Sequence, residues 1–437
     1  MNPLYSIYRQ FTNLVFLLGF PVLKVYSNVS GRYTQSLDQR LGFYSPEIVK
    51  LRPDGRRIWL HAASVGEVNV AAVIAEELQR LSPESSVFLS TTTETGYGIA
   101  RERVPAVPLV YAPVDATFAV KKALSCIKPE MLVCIETEIW PNLIVEAHRT
   151  GIKTVMANGR ISVRSCRRYE KILPFFREIL KHMDFFSMIH EEDAERICRI
   201  GAPRDRVFVN GNAKYDGLIR NHLRVNLDGI RRIYSLTGDE TVIVAGSTRK
   251  NEESVVFDAY EKIRRKIPEA LLFIAPRHID RASSIYDLAV ERGFDPQLRS
   301  GFNGHHARRT ANITIMDTIG ELAAVYGVSS VAFCGGSLVP LGGQNLLEAA
   351  VWGKPVFYGP YMEDFQEAKD LVEAAVGDAF LVRSGEELAE KIVFYLMNET
   401  KRRDLGRKAK KAVLDHQGAA RRHAEGILHL LESDRGE

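Results

Sequence analysis

Gly335-Gly336-Ser337-Leu338-Val339-Pro340-Leu341-Gly342-Gly343-Gln344-Asn345-Leu346-Leu347-Glu348 follows the apolar run Ser330-Val331-Ala332-Phe333-Cys334. The apolar run reads as a buried strand. The residues from about Asn345 onward read as an apolar-periodic helix. A glycine-rich turn between strand and helix lets backbone N–H groups approach an anion closely, and a helix N-terminus adds partial positive charge. Glu348, one turn in, stands where a ribose diol could donate to it. This pattern points to an α/β domain that holds a sugar nucleotide.

The same alternation extends in both directions. Upstream, Thr241–Ser247, Leu271–Pro276 and Ile313–Met316 are apolar runs closed by turn residues, and Pro355–Tyr358 follows downstream. An earlier series comprises Ile58–Ala62, Val87–Thr91, Leu109–Pro113, Pro129–Glu136, Lys153–Asn158, Phe185–Ile189 and Val207–Asn210. Helical patterns separate these runs, as in Ser64–Leu81 and Thr95–Arg103. Repeated β-α units imply parallel sheets covered by helices on both faces. Residues 216–239 are polar and basic with no strand pattern, and read as a linker. The expected domains are therefore 31–215 and 240–437, the second carrying charged terminal helices. Two doubly wound domains with a cleft between them is the economical architecture, with ligands at the carboxyl ends of strands.

A chain of 437 residues is too long for one ordinary core. Its net charge of +4 is too mild to suggest nucleic acid. Cys126, Cys134, Cys166, Cys198 and Cys334 are scattered, without a C-x-x-C pair, which favours buried thiols in a reducing compartment. Residues 1–30 stand apart. Phe11–Tyr26 is almost wholly apolar, but the uninterrupted run Leu14–Leu23 falls short of the roughly 20 residues that span a bilayer. Arg9 precedes it, and Lys24, Arg32 and Arg40 follow. It reads either as a membrane-anchoring segment, interfacial or short-spanning, or as a helix packed on the first domain.

Candidate chemistry gathers at strand ends. In His61-Ala62-Ala63-Ser64-Val65-Gly66-Glu67 small residues make room for a ligand and Glu67 faces it. Equally, Ser64 caps the helix and Glu67 completes a capping box. Glu136 and Glu138 follow a buried strand in Glu136-Thr137-Glu138-Ile139-Trp140-Pro141, where they bind substrate, hold a base, or simply favour a helix start. Arg160, Arg164, Arg167, Arg168 and Lys171 form a basic cluster suited to phosphate or carboxylate, or to solvent. Lys214 lies where the chain leaves the first domain. Ser247 sits in a small-residue turn, and Arg277 and His278 end an apolar strand beside the expected phosphate site. No H-E-x-x-H, paired-cysteine or D-x-D motif suggests a metal, and neither a G-x-S-x-G elbow nor a Walker loop is present.

H-A-A-S-V-G-E, E-T-E-I-W-P-N-L, N-G-R-I-S, G-N-A-K-Y-D, A-G-S-T, A-P-R-H and G-G-Q-N-L-L-E, in this order, resemble the 3-deoxy-D-manno-octulosonic acid (Kdo) transferases. The resemblance runs from the N-terminal segment to about Asp364. It implies a glycosyltransferase B-type α/β fold: two Rossmann-like doubly wound domains facing a central cleft, behind an N-terminal membrane-anchoring helix. It implies inverting transfer of Kdo from CMP-Kdo to the lipid A precursor at the cytoplasmic face of the inner membrane, without metal or other cofactor. By resemblance Glu67 is the general base and Glu136 a second essential acid. Ser247, Arg277, Asn345 and Glu348 match donor-site positions; from the residues themselves His278, Gly342 and Gly343 are placed beside them, and Glu138, Arg160, Arg164, Arg168 and Lys214 at the acceptor site. Gln344 stands where the family commonly has histidine, so a role needing a protonated imidazole there is lost. A UDP-sugar transferase of the same fold and an inactive membrane-bound nucleotide-binding scaffold are the competing readings.

Overall fold

The computed structural model describes residues 3–30, 36–45, 55–303 and 307–433; Arg32 lies outside them. The chain divides into two compact units. One holds the described residues up to Gly217 together with those from Gln417 onward, and the other runs from Leu218 to His416.

The first unit is built on a seven-stranded, wholly parallel sheet. Its strands are β1 (Arg57–His61), β2 (Ser86–Thr91), β3 (Leu109–Tyr111), β4 (Met131–Ile135), β5 (Lys153–Gly159), β6 (Phe185–Met188) and β7 (Val207–Val209), in the order β3-β2-β1-β4-β5-β6-β7. Parallel strands covered on both faces must be apolar throughout rather than alternating. Met131-Leu132-Val133-Cys134-Ile135 meets that requirement, every residue of β4 being buried. The chain works outward from β1 to β3, then returns to lay β4 against the other side of β1. The direction of winding reverses there, so the loops after β1 and β4 part and leave a crevice.

The second unit repeats the plan with six parallel strands: β8 (Val242–Thr248), β9 (Leu271–Pro276), β10 (Pro296–Leu298), β11 (Ile313–Ile315), β12 (Val331–Cys334) and β13 (Val356–Tyr358), in the order β10-β11-β9-β8-β12-β13. Its reversal lies between β8 and β12, so the loops after Thr248 and Cys334 flank its crevice.

Three features differ from the sequence reading and one adds to it. Residues 216–239, read as a linker without strands, carry much of the helices Ala213–Arg224 and Leu227–Ile233. The last helix, Ala419–Ser433, packs Ala420, Ala424, Ile427, Leu428 and Leu431 into the first unit's core beside Val70 and Ile74, so it does not belong with residues 240–416. β10 is an additional short strand. The helix expected from Asn345 is a single turn, Leu347–Ala350.

Residues Pro3–Ser30 form one helix that runs through Pro21. One edge is tied to the first unit: Tyr5 Oη donates to Asn142 Oδ1 (3.2 Å), Tyr8 Oη to Asp115 Oδ2 (2.8 Å), and Asn13 Oδ1 accepts from the Thr117 amide (2.9 Å). Phe16 packs on Phe118. The opposite face exposes Ile7, Phe11, Leu14, Leu17, Leu18, Val22 and Val25. Among the described residues no helix is long and apolar enough to cross a membrane.

Candidate active site

At the β1/β4 crevice three carboxylates converge. The Ser64 side chain caps the helix Val65–Leu81 by accepting from the Glu67 amide, and Glu67 Oε2 accepts in return from the Ser64 amide at 3.4 Å, which completes the capping box, and from the Ala63 amide at 2.7 Å. Glu67 Oε1 also accepts from the Ser64 hydroxyl at 2.7 Å. The capping reading of the turn is therefore met, by a carboxylate that is half-buried and held from two sides.

Glu136 leaves β4 with φ of +58°, a left-handed conformation that costs a non-glycine residue about 1–3 kcal/mol and persists where the surroundings impose it. Its amide is fixed by the Ala157 carbonyl at 2.9 Å. Lys214 Nζ lies 2.7 Å from Glu136 Oε1, in ion-pair contact without hydrogen-bond alignment. Glu138 accepts from Trp140 Nε1. Burial raises its pKa first, and the nearby charges of Glu67 and Glu136 raise it further against the pull of the indole hydrogen bond.

His61 ends β1 beneath these groups, fully buried. Trp59 Nε1 donates to Ser90 Oγ (2.8 Å), so the Ser90 hydroxyl is free to donate to His61 Nδ1 (3.0 Å). That leaves the ring proton on Nε2, 3.9 Å from Glu138 Oε2. Burial lowers the His61 pKa to about 4, so the ring is neutral at physiological pH and sets a dipole, not a charge, against Glu138.

The basic cluster is only partly drawn in. Thr137 Oγ1 donates to the Arg160 carbonyl, which ties the Glu136–Trp140 loop to the end of β5. Arg160, Arg164 and Arg168 have exposed side chains, the last two on the helix Val163–Glu170. No described contact joins Arg164 or Arg168 to the carboxylates, and neither is in an ion pair among the described residues.

In the second unit the glycine-rich turn does cradle an anion, but that anion belongs to the protein. Glu252 is fully buried, and its carboxylate accepts from the amides of Gly336 (2.5 Å), Ser337 (3.0 Å), Leu338 (2.9 Å) and Arg249 (2.9 Å). Burial raises its pKa, while these four amides pull the other way. The sequence reading left the amides of this turn open to a ligand anion; the side chain of Glu252, from the β8–β9 connection, occupies those of Gly336–Leu338. Gly335 is required by close approach, since a Cβ there would meet the Ser247 carbonyl oxygen at 2.5 Å. Gly342 has φ of +78° and packs on Asp364, whose amide donates to the Gly342 carbonyl (3.0 Å).

What stays available lies further along the turn and on β8 and β9. Ser247, at a bulge in β8, has φ of +56°, and the next residue's hydroxyl, Thr248 Oγ1, is buried without a partner among the described residues. Arg277 follows β9, and its charge opposes the burial that raises the pKa of Glu348. His278 Nε2 is 2.7 Å from Arg249 Nη1, placing a second cation beside β9. Asn345 Oδ1 accepts from the Leu347 amide (3.2 Å) just ahead of the single turn, and the Gly343 amide donates to the Gly336 carbonyl (2.8 Å). Among the described residues no set of His, Cys, Asp or Glu side chains gathers as metal ligands.

A family model described as "3-Deoxy-D-manno-octulosonic-acid transferase (kdotransferase)" matches residues 35–217. A 3-deoxy-D-manno-octulosonic acid transferase of Haemophilus influenzae is 32% identical over 410 residues, covering 92% of this chain and 93% of that one. The chain belongs to the Kdo transferase family. A Kdo transferase of Chlamydophila psittaci is 30% identical over 84% of this chain and 82% of its own length. A bifunctional glycosyltransferase/methyltransferase of Fusobacterium nucleatum is 33% identical over 78% of this chain, which spans only 52% of that longer protein. Among solved structures, a UDP-GlcNAc 2-epimerase of Neisseria meningitidis superposes with a TM-score of 0.58 at 13% identity, covering 85% of this chain and all of that one. A glycosyltransferase of Rickettsia africae gives 0.54 at 11% identity, covering 87% and 98%. These establish the glycosyltransferase-like α/β fold with parallel sheets.

In this Kdo transferase four residues shape the crevices without being singled out by sequence reasoning. His61 and Trp140 stand inside quoted motifs, where only the neighbouring carboxylates carry an obvious chemistry. Thr248 follows Ser247 in A-G-S-T. Glu252 opens an ordinary helix, Glu252–Arg264, and looks like a residue complementing the helix dipole.

Proposed function

We propose that this member of the Kdo transferase family transfers Kdo from CMP-Kdo to a lipid A precursor, with inversion at the anomeric carbon. The observation that carries the reading is the 32% identity to a Kdo transferase over nearly the whole of both chains. The acceptor 6′-hydroxyl attacks the ketosidic carbon, and its proton passes to Glu67. A C–O bond forms to the acceptor, the C–O bond to the CMP phosphate breaks, and CMP leaves with the electron pair. The entering hydroxyl replaces the Ser64 hydroxyl at Glu67 Oε1, so the capping contact keeps the base aimed until substrate arrives. Glu136, Glu138 and Lys214 hold acceptor hydroxyls and phosphate. Arg160, Arg164 and Arg168 offer further cations to the acceptor's phosphates.

Ser247, Arg277, His278, Gly342, Gly343, Asn345 and Glu348 hold the donor. Arg277 compensates charge on the departing phosphate, and Glu348 accepts from the ribose. Because Glu252 occupies the amides of Gly336–Leu338, donor phosphate relies on Arg277 and the backbone beyond Pro340. The helix Pro3–Ser30 lies in the membrane interface with its apolar face down, which brings an acylated acceptor to the first unit at the cytoplasmic face of the inner membrane.

The test is turnover with CMP-Kdo and tetra-acylated lipid A precursor, read as product mass. One or more Kdo increments are expected, and an unchanged acceptor mass defeats the proposal. CMP is expected to raise the melting temperature and UDP to leave it unchanged. The reverse order would favour a UDP-sugar enzyme.

A further inference from the structure

The second unit carries a cavity remote from its strands' carboxyl ends. It opens at the amino ends of β8, β12 and β13, where Val242, Ser330 and Pro355 line it, and its volume is about 260 Å³. Four cations face it: Arg231 from the end of the helix Leu227–Ile233, Lys354 from the turn before β13, and Arg402 and Arg403 from the first turn of the helix Glu399–Leu414. One carboxylate, Glu240, is itself in the lining, and it and the carboxylates around the cavity already have partners. Glu240 accepts from the amides of Thr237 and Gly238 (2.8 and 2.9 Å). Arg231 pairs with the exposed Asp228, and Glu399 takes Arg403 at 2.5 Å, leaving Arg402 at 3.7 Å. Lys354 has no carboxylate and no hydrogen-bond acceptor among the described residues.

The amino end of a parallel sheet receives helix C-termini, so a lysine here would ordinarily bond their carbonyls. Lys354 makes no such bond. Burial and the charges of Arg402, Arg231 and Lys410 together push its pKa down to about 8, as expected of a cation crowded by like charges. Of the four cations only Lys354 has no carboxylate among the described residues, and an entering anion would offset the cost of holding it beside three guanidinium groups.

We propose that this cavity is a binding site for a small phosphate-bearing anion, held by Lys354 and Arg402 with Arg231 and Arg403 at its mouth. The volume suits inorganic phosphate or pyrophosphate. A lipid phosphate headgroup presents the same chemistry. The site lies apart from the donor residues at the carboxyl ends of β8 and β9, and the inference is independent of the proposed reaction.

The full chain is melted in increasing inorganic phosphate or pyrophosphate at constant ionic strength, with and without saturating CMP. A saturable rise in melting temperature is expected in both series. In Lys354→Gln and in Arg402→Gln the half-saturating concentration should increase at least ~10-fold, the loss of roughly one charge-assisted contact. Lys354→Arg should retain binding. Co-sedimentation with phosphatidic acid vesicles, lost in Lys354→Gln while free phosphate has no effect, would assign the headgroup as the source. Absence of any saturable effect from phosphate, pyrophosphate and vesicles overturns the proposal. So does an effect undiminished in both Gln variants. A failed turnover assay leaves this test intact, because its readout is unfolding and not transfer.

Discussion

Lys214 Nζ and Glu136 Oε1 stand 2.7 Å apart, and each is delivered by a backbone feature at the end of a neighbouring strand. Glu136 is turned by its left-handed φ and held by the Ala157 carbonyl. Asn158, itself at φ of +55° in a bulge of β5, accepts from the Ala213 amide at 2.8 Å and so fixes the start of the helix carrying Lys214. Two strained residues on adjacent strands thus set one ion pair, the kind of over-determined geometry that functional sites retain.

That coupling predicts non-additive losses. Lys214→Met and Glu136→Gln should each reduce transfer about 10²-fold, and the double variant little more than either alone, because each partner acts through the other. Steady-state kinetics of the three variants measures this. Multiplying losses would show that the pair does not act as a unit.

Glu67 caps its helix and is proposed as the general base, and two substitutions separate the two roles. Glu67→Gln keeps a side chain able to complete the capping box, so its melting temperature should stay near that of the native chain while transfer falls about 10²–10⁴-fold. Glu67→Ala should lose the same activity and also about 0.5–2 kcal/mol of stability, read in urea unfolding. Near-native turnover in Glu67→Gln would reduce Glu67 to a cap.

Legibility in the sequence followed how local each cause was. β4 was readable because all five of its residues are buried, and the capping box because its partners are three residues apart. β10 was not, being three residues with Gln297 at its centre. The glycines of the turn after β12 were visible, but their partner Glu252 lies 84 residues before Gly336, and no local pattern reveals a carboxylate that distant. The last helix is amphipathic in sequence, yet which core receives its apolar face is decided by contacts with Val65–Leu81, over 300 residues earlier by the numbering. At the candidate active site the carboxylates were legible as residue types. The neutral state of His61 required its burial and the order of donors through Ser90.

Glu252 gives the third expectation. Glu252→Ala removes the acceptor for four amides and should destabilise the chain by more than ~3 kcal/mol, since each buried donor left unpaired costs about 1–3 kcal/mol. Glu252→Gln retains the carbonyl oxygen but places an NH₂ against two amide donors, and should recover only part of the loss. Urea melts of both variants rank these outcomes. Equal stability of Ala and native chains would mean that water satisfies the turn as well as the carboxylate does.

The exposed face of Pro3–Ser30 yields a fourth. Leu17 and Leu18 are 70% and 67% exposed, so charge there costs the fold little. Leu17→Asp/Leu18→Asp should keep the native melting temperature and CMP response while losing flotation with anionic vesicles. Turnover on vesicle-borne acceptor should fall, and turnover on detergent-dispersed acceptor should fall much less. Unchanged flotation would remove the interfacial role.

Acid stability reports on the two histidines buried among the described residues, His61 and His423. His423, on the last helix, is buried with Nδ1 2.6 Å from Ser187 Oγ and Nε2 3.0 Å from the Gly211 carbonyl. Because a carbonyl only accepts, Nε2 carries the proton and Ser187 donates to Nδ1; Asn210 Nδ2 in turn donates to Ser187 Oγ at 2.6 Å. The ring has no place for a second proton, and burial lowers its pKa to about 4, as it does for His61. Above the unfolded-state value near 6.5 both states are neutral and neither histidine makes stability depend on pH. Between about 6.5 and 4 the unfolded chain takes up protons that the folded chain refuses, so stability falls with falling pH, by up to ~3 kcal/mol per histidine. Asp115, Asp193 and Glu252 act oppositely: their raised pKa values let the folded state gain protons first, so each adds stability as the pH drops toward its unfolded value. A comparison cancels that background. His423→Gln should be less stable than the native chain at pH 8, and the gap should narrow by about 2–3 kcal/mol between pH 7 and 4 in urea unfolding. A gap that stays constant across that window would mean that His423 accepts its second proton inside the fold, and that the Ser187–His423–Gly211 chain is not closed as drawn.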